Sequence, residues 1–161
     1  MNQNALQTLE FDKIIAEVKS LAMTETAKTL IGQLKPSVNY LQIKNWMDET
    51  TEARNMLDVN SSVPLLALEN IPEIMVKLGK GYVFTPEELE AVGHLLEGVK
   101  RICKYMEAME SVAPRLASYA NSMFVLDDLY EAITVAIVNR AVADRASSDL
   151  YRIRKRMLIV E

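Results

Sequence analysis

Histidine and cysteine occur once each in this chain, as His94 and Cys103, and glycine and proline only five times each among 161 residues. Each scarcity excludes something. A single cysteine rules out an internal disulfide and fits a reducing, cytoplasmic setting. A single histidine rules out a di-iron bundle, which needs two Glu-x-x-His motifs on facing helices. So little glycine and proline leaves few breaks between elements, and no strand pattern of useful length shows through. No apolar run approaches the roughly 20 residues of a membrane span. The opening MNQNALQTLEFDK also lacks the basic segment and apolar core of a signal peptide.

What is present points to helices. Half of the residues are hydrophobic and a quarter charged, a globular balance, and the length suits one domain with a sizeable core. Net charge is −4, unevenly placed. Residues 140–161 hold Arg140, Arg145, Arg152, Arg154, Lys155 and Arg156 against Asp144, Asp149 and Glu161, a net of +3 that leaves −7 for the rest. An acidic body is a poor surface for phosphates, so any nucleic-acid contact belongs to the C-terminal end.

Apolar spacing at three and four residues predicts a succession of seven or eight helices, an all-α fold with no internal repeat. Residues 9–22 carry Phe11, Ile14, Ile15, Val18, Leu21 and Ala22 on one arc. Thr24 caps a second helix bearing Ala27, Leu30, Ile31 and Leu34, which stops before Pro36. Residues 39–58 form a longer one, with Ile43, Trp46, Met47, Thr50, Ala53 and Leu57 inward and Glu49, Glu52 and Arg54 on its solvated margins. Residues 58–64 form the clearest loop, and Asn70 opens a short helix ending at Gly79. Thr85-Pro86-Glu87-Glu88 is a capping box with proline at the first helical position. The helix it opens places Leu89, Val92, Leu95, Leu96, Val99, Cys103 and Met106 on one stripe, interrupted by Gly93 and Gly98. Pro114 starts another helix. Residues 126–138 are apolar on nearly every side, the pattern of a central, buried helix. The helices up to Val138 thus have complete apolar stripes with which to bury one another.

The final stretch, DRASSDLYRIRKRMLIVE at residues 144–161, reads as the start of a helix that continues beyond the chain. Ser147 or Ser148 serves as N-cap, with Asp149 where the helix dipole favours an anion. Leu150, Ile153, Met157 and Val160 form a heptad-like seam, and Arg152, Lys155 and Arg156 share another side, with Arg154 flanking the seam. No Gly, Asn or Pro ends this helix, and its last turn is apolar all round. The division expected is a helical core over 1–143 and the beginning of a lever or clamp helix over 144–161.

No catalytic, cofactor-binding or metal-binding constellation emerges. His94 falls opposite the apolar stripe of its helix, and Asp127-Asp128 reads as acidic charge at a helix N-terminus. Cys103 sits in a core stripe, and Gly79-Lys80-Gly81 has neither the spacing nor the Ser/Thr of a phosphate loop. The residues left as candidates are Arg152, Arg154, Lys155 and Arg156, which would touch nucleic-acid phosphates; a solvated helix face is the competing reading.

Several strings, taken in order, resemble the second bacterial MutS family (MutS-two). They are LEFDKI at residues 9–14, LKP at 34–36, ETTEA at 49–53, residues 64–71, VFTPEEL at 83–89, and DRASSDL at 144–150 followed by Ile153-Arg154. The last is similar to that family's D-x-A-S-x-x-L-x-x-I-R segment, where the chain enters the lever and clamp helices. One departure stands at Asn139-Arg140, where the family usually carries an Asp-Gly turn. The resemblance implies a non-catalytic core and lever that links an ATPase to a DNA-embracing clamp. For the full-length protein it implies ATP and Mg as cofactors, a C-terminal Smr nuclease domain, a homodimer, and DNA or rRNA as partners in recombination control, DNA repair or ribosome quality control. The alternative is a helical scaffold that binds protein partners only.

Overall fold

The computed structural model describes residues 8–65 and 71–160, with only the backbone of Ile159 and Val160. The helix start expected at Asn70, part of the 64–71 resemblance, and the side chain of Val160 in the seam lie outside the described residues. The chain is mainly α-helical, as its composition requires. In order run α1 (Phe11–Ser20), α2 (Glu25–Gly32), α3 (Tyr40–Val59), α4 (Ile71–Lys77), α5 (Pro86–Ala108), α6 (Pro114–Ala120), α7 (Asp127–Ala136) and α8 (Ser148–Val160). A two-stranded ribbon, β1 (Ile137–Val138) and β2 (Ala141–Val142), and a 3-10 turn (Asp144–Ala146) lie between α7 and α8. Among the described residues no helix is long and apolar enough to cross a membrane. The chain divides into two compact units, Met1–Thr51 and Glu52–Glu161, and the division falls within α3.

In the first unit α1 packs on α2. Thr24 caps α2, its hydroxyl accepting from the Ala27 N–H at 3.1 Å. Asn39 does the same for α3, accepting from Gln42 N–H at 3.2 Å. The apolar stripes of this unit are not covered. Phe11, Ile15, Ala27 and Ile31 are half-buried, whereas Leu21 is 78% and Leu30 61% exposed, and no described residue here is buried. The expectation that these helices bury one another is therefore corrected. Two short helices supply one mutual contact line, and a stripe wider than that line stays in solvent.

The core lies in the second unit. Met56 of α3 (3% exposed), Tyr105 of α5, Met109 and Ala113 form a cluster, with Val63, Met106 and Leu116 packed against it. The inward stripe expected for α3 is corrected: Trp46 (41%), Met47 (65%) and Leu57 (50%) are exposed, Ile43 and Ala53 are half-buried, and Met56, next to Leu57, is the residue that is buried. Glu52, one turn before Met56, consequently points inward, its side chain only 13% exposed. Its Oε2 accepts from the backbone N–H groups of Arg115 (2.9 Å) and Leu116 (3.1 Å) at the start of α6. That helix has no side-chain cap of its own, because Ala113, 0% exposed, occupies the N-cap position. A carboxylate from α3 supplies the missing acceptor. Tyr105 adds a second tie, its hydroxyl donating to the Asn60 carbonyl at 2.8 Å and anchoring the loop after α3.

α5 is the long axis of this unit. Its capping box is formed, with Glu88 N–H donating to Thr85 Oγ1 at 3.3 Å and Thr85 N–H to Glu88 Oε2 at 2.9 Å. Glu88 also pairs with Lys77 of α4. The Lys77 ammonium first, and the Thr85 N–H second, hold its carboxyl below the usual carboxylate value. Gly93 is buried where α5 meets α7; a Cβ there would stand 3.4 Å from Ile133 Cγ2, so its side-chain-free surface is the packing surface. Gly79 and Gly81, at φ +75° and +74°, form the turn that ends α4.

α7 is not the buried central helix its composition suggested. Only Ile133 is buried within it, and Leu129 and Val135 are about half exposed. Its neighbours are α5, the ribbon and the 3-10 turn, which cover one stripe of a helix that is apolar on several.

Two outcomes follow for stability. Glu52→Ala leaves two donors of α6 without their acceptor and should cost about 1–2 kcal/mol, with Glu52→Gln, which keeps one oxygen, costing less; urea unfolding monitored by circular dichroism measures both. The second concerns pH. Because the folded state lowers the Glu88 pKa, the stabilisation it brings is complete above the ordinary value of 4.5 and is lost as pH falls from there through the folded-state value. The urea midpoint of the parent protein should therefore exceed that of Glu88→Gln at neutral pH, and the gap should narrow as the pH is lowered below 4.5.

Candidate nucleic-acid interface

Everything basic at the C-terminal end hangs on the passage from α7 to α8. Ile137 pairs with Val142 and Val138 with Ala141 in an antiparallel ribbon. Asn139 and Arg140 make its two-residue turn with φ of +51° and +58°, the left-handed pair of a type I′ turn. A ribbon therefore stands where no strand pattern shows in the sequence; two residues per strand are too few for alternation to show. Asn tolerates this conformation through its short polar side chain, but Arg140 holds it against the Cβ clash that glycine would avoid. The Arg140 Nε lies 3.3 Å from Glu90 Oε2, linking the turn to α5.

After the 3-10 turn, Ser147 rather than Ser148 caps α8, its Oγ accepting from Leu150 N–H at 3.1 Å. The four candidate residues then fare differently. Arg152 donates to Asp149 at 2.8 Å, a pair one turn apart on an exposed face. Lys155 sits over the Tyr151 ring, 5.9 Å from its centroid. Arg156 is exposed on the same side as both. Arg154 is drawn away from them. Its Nη1 donates to the Val142 carbonyl at 2.9 Å and to Asp144 Oδ1 at 2.5 Å. So Arg152, Lys155 and Arg156 form a basic face, while Arg154 is engaged at the base of the helix. Of the seam beside this face, Leu150 is half-buried while Ile153 (54%) and Met157 (63%) are exposed, as is Leu158 (76%) next to it.

The remaining candidates fall into structural places. His94 is exposed on α5. Asp127, at the N-terminus of α7, pairs with Lys100 at 2.6 Å, and this contact raises the Lys100 pKa above its ordinary value. Cys103 is half-buried, 4.0 Å from the Ala120 carbonyl, in a cleft of about 320 Å³ that it shares with Glu107, Glu110 and Asn121. Among the described residues no group of three or more His, Cys, Asp and Glu is placed to hold a metal ion. Glu52, expected on the solvated margin of its helix, is corrected to an inward-facing cap of α6, and Asp144 and Arg145 entered the sequence reading only through the charge balance and the DRASSDL string, with no role assigned. Only Asp144 carried a local hint, as the acidic neighbour of a basic run.

The chain matches no family model and no solved structure. Among curated proteins it is similar to "Endonuclease MutS2" of Clostridium tetani, 30% identical over 158 residues, and to the protein of the same name from Clostridium botulinum, 32% identical over 158 residues. It is also 29% identical over 159 residues to that of Finegoldia magna. Each alignment covers 96% of this chain, so the resemblance carried by the ordered strings extends over nearly all of it. The chain spans about a fifth of the length of these relatives.

The turn yields its own test. Arg140→Gly removes the left-handed strain and loses an exposed ion pair, for a net gain of about 1 kcal/mol. Arg140→Ala keeps the strain and loses the pair, so its urea midpoint should fall slightly below that of the parent.

Proposed function

We propose that this chain is the helical core and the beginning of the lever of a MutS-like, DNA-acting ATPase, a mechanical and non-catalytic module. The observation that carries this reading is the similarity, over 96% of the chain, to proteins named Endonuclease MutS2 that are about five times longer. The geometry is compatible with it: a packed body over residues 52–143 and a stiff terminal helix whose apolar seam is exposed at Ile153 and Met157. In this reading residues 1–143 are the core and 144–161 start the lever. ATP, Mg, a second subunit and the nuclease chemistry belong to the whole protein, which works in the cytoplasm on DNA or rRNA in recombination control, repair or ribosome quality control. A second reading, a scaffold that binds only protein partners, draws on the exposed Ile153, Met157 and Leu158.

Titration of labelled duplex DNA and rRNA hairpins at two salt concentrations separates the two. With Arg154 engaged by Val142 and Asp144, Arg152, Lys155 and Arg156 neutralise three phosphates at most. Counterion release then gives a log–log salt slope near −3 and weak binding without base preference. The variant Arg152→Ala/Lys155→Ala/Arg156→Ala should abolish that binding. Equal binding by both proteins would make the basic face a solvated surface and favour the scaffold.

A further inference from the structure

The link between α7 and α8 is hydrogen-bonded at each step. The Ala136 carbonyl at the end of α7 accepts from Ala143 N–H at 2.8 Å, Ala146 N–H donates to the Ala143 carbonyl at 3.0 Å, and Ser147 then caps α8. Two guanidinium groups close the corner. Arg145 turns back and donates from Nε to the Val135 carbonyl (3.2 Å) and from Nη2 to the Thr134 carbonyl (3.4 Å), within the last turn of α7. The carbonyls at a helix C-terminus have few intrahelical partners, so a cation there satisfies both hydrogen bonding and the dipole. Arg154, in the second turn of α8, reaches down to the Val142 carbonyl and the Asp144 carboxylate. It is half-buried, whereas its neighbours Ile153 and Lys155 are exposed.

We infer that Arg145 and Arg154 are positioning residues that lock the angle between α7 and α8, with the ribbon as the bracket and the Asp144–Arg154 pair as its latch. One arginine ties the corner to the helix before it, the other to the helix after it. A rigid guanidinium fork suits this task because its donors lie in one plane and cannot be lost by deprotonation. Among the described residues the 3-10 turn is the element on which α8 packs most extensively, and these two groups add a tie on either side of it. The lock rests on these contacts; its use as a lever rests on the function proposed above.

Pulsed electron–electron distance measurement on the whole 161-residue chain tests it, with spin labels at Lys104→Cys on α5 and Leu158→Cys on α8 in a Cys103→Ser background. The parent should give one narrow distance. Arg145→Ala/Arg154→Ala should about double the width of the distribution at unchanged helicity. Arg152→Ala, which breaks a pair confined to α8, should leave it narrow. Should the double variant lose helicity, Asp144→Asn decides, since it removes only the charge of the latch and should widen the distribution to a smaller degree. A parent distribution already broad, or unchanged width in the double variant and in Asp144→Asn, would overturn the lock. Neither ATP nor nucleic acid enters this measurement, so a failed DNA titration leaves the lock standing, and a failed lock leaves the function proposed above to its own test.

Discussion

The second unit depends on a carboxylate supplied from far away in sequence. Glu52 accepts from two N–H groups of α6, 63 and 64 residues later, and its aliphatic stem stands one turn from Met56. The same turn of α3 thus meets the polar start of one helix and the apolar cluster of Tyr105, Met109 and Ala113. Ala113 explains why the arrangement is needed. A Ser or Asp at that N-cap would satisfy the helix locally, but the position is fully buried, and a small apolar residue is what the cluster accepts. Core packing and helix capping compete for one position; packing holds it, and the cap is provided by a neighbour.

The C-terminal end answers the same problem with the opposite sign. Here carbonyls, not N–H groups, are left over, and arginines rather than a glutamate complete them. Arg145 serves α7, Arg154 serves β2, and Arg140 reaches Glu90 of α5 from the turn. Three of the six basic residues that mark this end of the chain are thereby engaged within it, Arg145 and Arg154 on backbone carbonyls and Arg140 on a carboxylate. Clustering of Lys and Arg overstates the charge free to meet a phosphate, and the three residues that remain share one side of α8.

Local signals were legible in the sequence where the partner lies within four residues. Thr24, the Thr85–Glu88 box, Pro114 and the acidic start of α7 are all in this class. The helical class followed from the spacing of apolar residues and the scarcity of glycine and proline. At its C-terminal end the inward face of α3 was missed by one residue, because Met56 and Leu57 serve a periodic stripe equally well and only the position of Tyr105 chooses between them; further back, Trp46 and Met47 stay exposed. The bare faces of the first unit were missed for another reason. Periodicity says that a face is apolar, and nothing about whether anything covers it. Of the candidate interface, the grouping of Arg152, Lys155 and Arg156 was visible, while the capture of Arg154 required the chain to double back ten residues to Asp144.

The long separation across the Glu52 cap also sets an order of events when the chain is made. Synthesis runs from the N-terminus at about 5–20 residues per second, so Met56 and Glu52 emerge roughly 3–12 seconds before Tyr105 and Leu116 are available to them. During that interval α3 has no core to join and must persist on its own helical propensity, with its methionine and carboxylate both in water. The long helix α5, about six turns with Tyr105 and Met106 near its end, then arrives together with the start of α6. The cluster of Met56, Tyr105, Met109 and Ala113 is therefore expected to form in a single step, once synthesis has passed Leu116.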